Sequence, residues 1–204
     1  SLNLKIEFSS KTIKRIAPFS LSIAYTSSIW IFVTQLDKLL LSKVLSLAEY
    51  GYFTLIATIS SGVMLLSGPI SKAVLPRMTN LLAKGKEQEM LKLYRTASRF
   101  VVCIVAPVTL VIALFPSEIV FIWTGDKAAA MWIAPILPLF IIGNGLLTIG
   151  AFQYYLQYSH GKLRQHVVYN TVSAALSIPL IIYSAFKFGP VGVAWVWLCF
   201  RILS

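Results

Sequence analysis

The chain has 204 residues, 57% hydrophobic and 12% charged, with a mean hydropathy of +0.78. A soluble domain is roughly 45–50% apolar and about 25% charged, so this composition excludes a soluble monomer, and its apolar content excludes a disordered chain. The net charge of +11 raises the question of an acidic partner such as nucleic acid, which the placement of the charges answers below.

Residues 1–16 form a basic leading segment. They lack the apolar core and small-residue cleavage site of a signal peptide. Six apolar runs follow, each near the ~20 residues that a membrane helix needs. They cover residues 17–34 (extendable to 45), 52–74, 100–115, 128–156 and 167–186, and a last run from Pro190 to the end. They are too long for barrel strands and lack strict alternation. Helices also satisfy their own backbone hydrogen bonds, which lipid demands. Pro69, Pro107, Pro135, Pro138 and Pro179 fall inside the runs, and each is expected to kink its helix. The fold class is therefore all-α and polytopic, with residues 17–204 as one six-span unit. There is no initiator Met, and the last run is short and holds Arg201. The chain is expected to be an internal or C-terminal piece of a longer protein.

The basic residues sort by loop. Lys5, Lys11, Lys14 and Arg15 lead the chain. Lys72, Arg77, Lys84, Lys86, Lys92, Arg95 and Arg99 lie between the second and third runs, and Lys162 and Arg164 between the fourth and fifth. All fall on one side. The other side holds only Lys38, Lys43, Lys127 and Lys187. Cytoplasmic loops carry the Lys/Arg excess, so both ends are predicted cytoplasmic. The charge thus records orientation, and no basic stripe interleaved with exposed aromatics marks a nucleic-acid binder. The long segment 76–99 is expected to hold an amphipathic helix in the cytoplasmic interface, with Met90, Leu93 and Tyr94 on one face.

Polar residues inside apolar runs are the most informative. Ser22, Thr26, Trp30, Thr34 and the pair Asp37-Lys38 recur at spacings of three and four, which is one helical face. The pair admits two readings. It is a charged pair at a substrate cavity, or the span ends near Thr34 and Lys38 snorkels at the outer interface. An Asp at the centre of a membrane helix costs about 2.5–3.5 kcal/mol on insertion scales. Asn170, Ser173, Ser177 and Ser184 share a face of the fifth run. Asn144, Gln153, Tyr154 and Gln157 are polar in the fourth. Gly143-Asn144-Gly145 follows no strand, so it reads as helix packing rather than a phosphate loop. Cys103 and Cys199 sit in apolar runs and imply no disulfide. His160 and His166 lack the company of a metal site. No nucleophile–base constellation is visible, so no catalytic residue is assigned and an enzyme is not expected.

Several short stretches, in order across nearly the whole chain, resemble one family. They are 34–42 (TQLDKLLLS), 47–53 (LAEYGYF), 75–78 (LPRM), Gly85-Lys86, 121–125 (FIWTG) and 188–194 (FGPVGVA). They resemble the polysaccharide (O-antigen-type) flippases of the multidrug/oligosaccharidyl-lipid/polysaccharide exporter superfamily. The resemblance implies a MATE-like transporter of two six-helix lobes, with this chain as spans seven to twelve and an N-terminal lobe as its partner. It implies a bacterial inner-membrane location and contact with polysaccharide polymerisation and assembly proteins. The implied cargo is an undecaprenyl-pyrophosphate-linked oligosaccharide, such as a lipopolysaccharide repeat unit, moved by alternating access near the midplane.

For such a cargo, Lys38, Arg77, Arg95 and Arg99 are candidates for the pyrophosphate. Thr26, Gln35, Asn144, Gln153, Tyr154 and Asn170 are candidates for the sugar. Asp37 would orient the partners of Lys38 or take part in proton or sodium coupling; no other cofactor is expected. The alternative is a cation-coupled multidrug antiporter of the same superfamily, which favours carboxylates within the membrane. Asp37 is the one plausible embedded acid, since Glu118 and Asp126 flank spans.

Overall fold

The computed structural model describes residues 10–161 and 164–203. Of the expected leading segment, residues 1–9 lie outside this range, as does Lys162 of the fourth–fifth loop. Among the described residues all regular structure is helical: α1 Ser10–Val44, α2 Leu47–Ala83, α3 Glu87–Leu114, α4 Pro116–Thr124, α5 Lys127–Ile133, α6 Leu137–Ser159 and α7 Arg164–Ile202. Four of them, α2, α3, α6 and α7, are long and apolar enough to cross a membrane. The chain is thus an all-α polytopic membrane protein. Six spans were expected. The fifth and sixth runs are both in α7, and the first lies in α1, whose 35 residues are interrupted by Ser and Thr at positions 20, 22, 26, 27 and 28.

α7 is one helix by hydrogen bonding only. At Gly189 the backbone leaves the helical region, with φ 62° and ψ −149°, a conformation open to glycine almost alone. Tyr169 and Asn170 near its start and Trp197 and Arg201 near its end line the same cavity. A straight helix would hold Tyr169 and Arg201 about 48 Å apart. α7 therefore folds back on itself at Gly189 into two arms, residues 164–188 and 190–202.

Two expectations need correction. The segment 76–99 is not an interfacial helix between spans. Pro76 and Arg77 continue α2, which ends only at Ala83, and α3 begins at Glu87 after a three-residue turn. Gly85, at φ 72°, supplies the left-handed residue that ends α2. The apolar face Met90, Leu93 and Tyr94 belongs to the protein core. Met90 and Met78 are both 0% exposed, so packing between the helices, rather than lipid, covers that face. At 37 residues α2 is about 55 Å long, well beyond a ~30 Å hydrocarbon layer.

The second correction is to the fourth run. Pro135 and Pro138 do not kink one helix. The chain breaks between Ile133 and Leu137, giving α5 and α6, because Pro135 removes a backbone donor and Pro138 suits a first helical turn. Pro69, Pro107 and Pro179, by contrast, remain inside α2, α3 and α7.

Local signals start the other elements. Ser46 and Glu49 form a capping box at α2: the Ser46 N–H donates to Glu49 Oε2 at 2.9 Å, and the Glu49 N–H to Ser46 Oγ at 3.4 Å. Asp126 caps α5, accepting from the N–H groups of Ala128 and Ala129 at 2.8 and 3.2 Å.

The helices pack in two groups. α2, α3 and α6 form one, centred on Phe53, Ile56, Val101, Ile141 and Phe152, with Phe53 edge-on to Phe140 at 5.7 Å. α1 and α7 form the other, and α6 joins it through α7. Gly145 makes the first group close. A Cβ there would lie 2.7 Å from Thr109 Oγ1 on α3. Gly143 makes the junction close, since its Cβ would lie 3.5 Å from Arg201 Cγ. The Gly-Asn-Gly sequence is thus a packing device, as small residues are at membrane helix contacts.

Candidate functional site

The polar stripe of α1 faces α7. Thr26 is 7% exposed and Tyr25 accepts a hydrogen bond from Thr171 at 3.3 Å. Ser22, Thr26 and Thr34 donate to carbonyls of α1 itself, those of Pro18, Ser22 and Trp30, at 2.8, 2.9 and 2.8 Å. These hydroxyls are therefore satisfied within their own helix. Of the stripe itself, the groups that reach across to α7 are Trp30 and Asp37.

Asp37 lies inside α1, seven residues before its end, and is 5% exposed. One carboxylate oxygen accepts the N–H of Lys38 at 2.7 Å. Trp197, on the second arm of α7, stands beside the carboxylate, although its indole N–H makes no well-formed hydrogen bond. Lys38 is half-buried and Gln35 exposed. The carboxylate is thus enclosed by protein rather than free at a helix end.

Arg201 is the member of this seam that the candidate set omits. Its guanidinium carbon is 4.6 Å from the Trp30 ring centre and 4.8 Å from that of Trp197. A cavity of about 50 Å³ opens between α1 and both arms of α7, lined by Trp30, Tyr169, Asn170, Ser173, Trp197 and Arg201 among others. Trp197 pairs with the Asp37 level of α1 and Arg201 with the Trp30 level, so the second arm runs antiparallel to α1. The signal in the sequence was a lone Arg in an apolar run, which by itself marks a functional position.

The other candidates fall in two further places. Tyr154 stands 4.5 Å from the His166 ring, and Asn170 Nδ2 donates to the His166 carbonyl at 2.8 Å with His166 Nε2 at 3.0 Å. This chain ties the end of α6 to the start of α7 and brings Tyr154 and Asn170 together. Gln153, one residue away, is exposed, and Asn144 is half-buried between the two packing glycines. Arg77, Arg95 and Arg99 are exposed on the long α2–α3 hairpin. They are not part of the α1–α7 seam, because the helices that carry them pack with α6 and each other.

These features define a multi-pass helical membrane protein with a buried acid and half-buried basic and aromatic groups between its helices. The chain matches the family described as polysaccharide biosynthesis protein over residues 1–132. It belongs to that family. The matched residues run from α1 into α5 and include the Trp30–Asp37 face, while α6 and α7 lie outside them. No curated protein and no solved structure matches the chain.

Proposed function

We propose that this chain is one lobe of a bacterial inner-membrane transporter that turns a lipid-linked oligosaccharide from the cytoplasmic to the outer leaflet. The polymer-building family supports the cargo class. The observation that carries the reading is the seam of buried Asp37 and half-buried Trp197, Arg201 and Trp30 between α1 and α7. Ionisable groups inside a membrane bundle are costly and mark substrate or ion pathways.

In this reading the cargo is an undecaprenyl-pyrophosphate glycan, whose head is anionic and whose tail stays in lipid. Arg77, Arg95 and Arg99 on the basic α2–α3 hairpin meet the pyrophosphate at the cytoplasmic face, and Lys38 meets it towards the outer end of α1. Thr26, Gln35, Asn144, Gln153, Tyr154 and Asn170 serve the sugar hydroxyls. A second lobe supplies the opposite wall, and the two rock about the site. No covalent chemistry is needed, so the protein acts as a transporter rather than an enzyme.

A cation-coupled multidrug antiporter is the second reading, favoured by the enclosed Asp37. One experiment separates them. The full-length gene is expressed in a strain that lacks its lipid-linked glycan flippase and accumulates the glycan on the cytoplasmic side. Relief of that accumulation supports the flippase. No relief, together with organic-cation efflux from vesicles, supports the antiporter.

A further inference from the structure

Among the described residues Arg201 has no charged partner. Lys86 pairs with Glu89 and His160 Nε2 lies 3.6 Å from Glu87; neither contact involves Arg201. Its Nε is shielded from solvent and has no hydrogen-bond partner. Asp37 lies seven residues beyond Trp30 on α1, about 10 Å along the axis, and makes no ion pair with it. A guanidinium does not lose its proton in proteins, so the charge must be met in another way.

Where the second arm is a membrane span with the Gly189 turn, next to the exposed Lys187, at its outer end, Arg201 lies about 18 Å along it, near the middle of a ~30 Å hydrocarbon layer. The guanidinium stands over both indole rings, contacts that use none of its N–H donors. Gly143 holds the Arg201 stem from the other side, its missing Cβ leaving 3.5 Å to Cγ. The arrangement positions a cation and leaves its Nε–H without a partner among the described residues.

The adjoining cavity sets the size of such a partner. It measures about 50 Å³, and a water takes roughly 10–15 Å³ of such space. That is room within the cavity for a few waters or one monatomic anion. Ser173 and Asn170 line the same wall. We infer that Arg201, between Trp30 and Trp197, is an intramembrane site for a single halide-sized anion, chloride in the cell, sharing only Asn170 with the groups that would hold the glycan. The anion neutralises the guanidinium and lets α1 and the second arm of α7 close on each other.

The two indoles provide the readout. Full-length protein in nanodiscs is kept in gluconate salts and titrated with bromide and iodide at constant ionic strength, while tryptophan emission is followed. The expected result is a saturable quenching component above the linear collisional one, displaced by chloride. Trp30→Phe and Trp197→Phe each reduce its amplitude. Arg201→Gln raises its half-saturating concentration at least about tenfold, the loss of one charge-assisted contact. Where Arg201→Gln does not fold, the unaltered protein decides: chloride raises its melting midpoint over gluconate with saturation. Purely linear quenching, equal saturation in Arg201→Gln, or identical melting in chloride and gluconate overturns the proposal and leaves the neutralising charge to a carboxylate outside the described residues. Inorganic pyrophosphate displacing bromide far better than chloride does also overturns it, by making Arg201 part of the cargo path. None of these measurements depends on whether the protein flips a glycan.

Discussion

Gly145 separates two rules that predict opposite signs. Helix propensity alone says that Gly145→Ala stabilises α6 by about 1 kcal/mol. The packing says otherwise. The new Cβ would stand 2.7 Å from Thr109 Oγ1, 2.9 Å from its Cγ2 and 3.3 Å from its Cβ, where carbon contacts are comfortable at about 3.5–4.0 Å. Thr109 is 7% exposed and, being β-branched in a helix, has few rotamers to move into. α3 and α6 must part, which as overpacking costs about 1–3 kcal/mol. On the scaling for chains of 150–250 residues, about 2–4 °C per kcal/mol, the melting midpoint of the detergent-purified protein falls by several degrees. Thr109→Ala removes the two closest atoms, so the double variant recovers most of the loss. Gly150→Ala is the control, because a Cβ there meets nothing within 4 Å. If Gly145→Ala raises the midpoint as Gly150→Ala does, or if Thr109→Ala brings no recovery, the close α3–α6 contact is wrong.

Two further substitutions test the hairpin and the charged pair. Gly189→Ala and Gly189→Asn should destabilise α7 alike, by about 1–3 kcal/mol, since the ψ of −149° lies outside the left-handed region that Asn tolerates; rescue by Asn in a melting experiment would refute the reasoning. Lys38→Glu should impair glycan transport more than Lys43→Glu at equal expression, because Lys38 is half-buried beside Asp37 whereas Lys43 is exposed. Equal tolerance in the rescue assay would sink the cavity role of Lys38.

The length of the apolar runs made α2, α3 and the arms of α7 readable, since lipid thickness dictates that length. The segment 76–99 was not. An apolar face such as Met90, Leu93 and Tyr94 says that something covers it but not what. Lipid headgroups and a neighbouring helix ask for the same spacing. The break before α6 was half legible: Pro135 and Pro138 were seen, but a kink and a full stop look alike until the packing is known. At the site, Asp37 stood out because an acid among apolar residues is costly. Arg201 also stood in plain view, yet it counted only as a reason to shorten the last run. Its meaning depends on Trp30, which lies 171 positions away in the sequence, and no local pattern reports that contact.

The length of α2 has a mechanical consequence. Helices of 37 and 28 residues joined by a three-residue turn make a long hairpin with little slack at its tip. A tilt of about 10° about one end of a ~55 Å helix carries the other end about 10 Å. The Lys84–Lys86 tip would therefore amplify any small rotation at the α2–α6 contact into a displacement large enough to follow with a pair of distance probes.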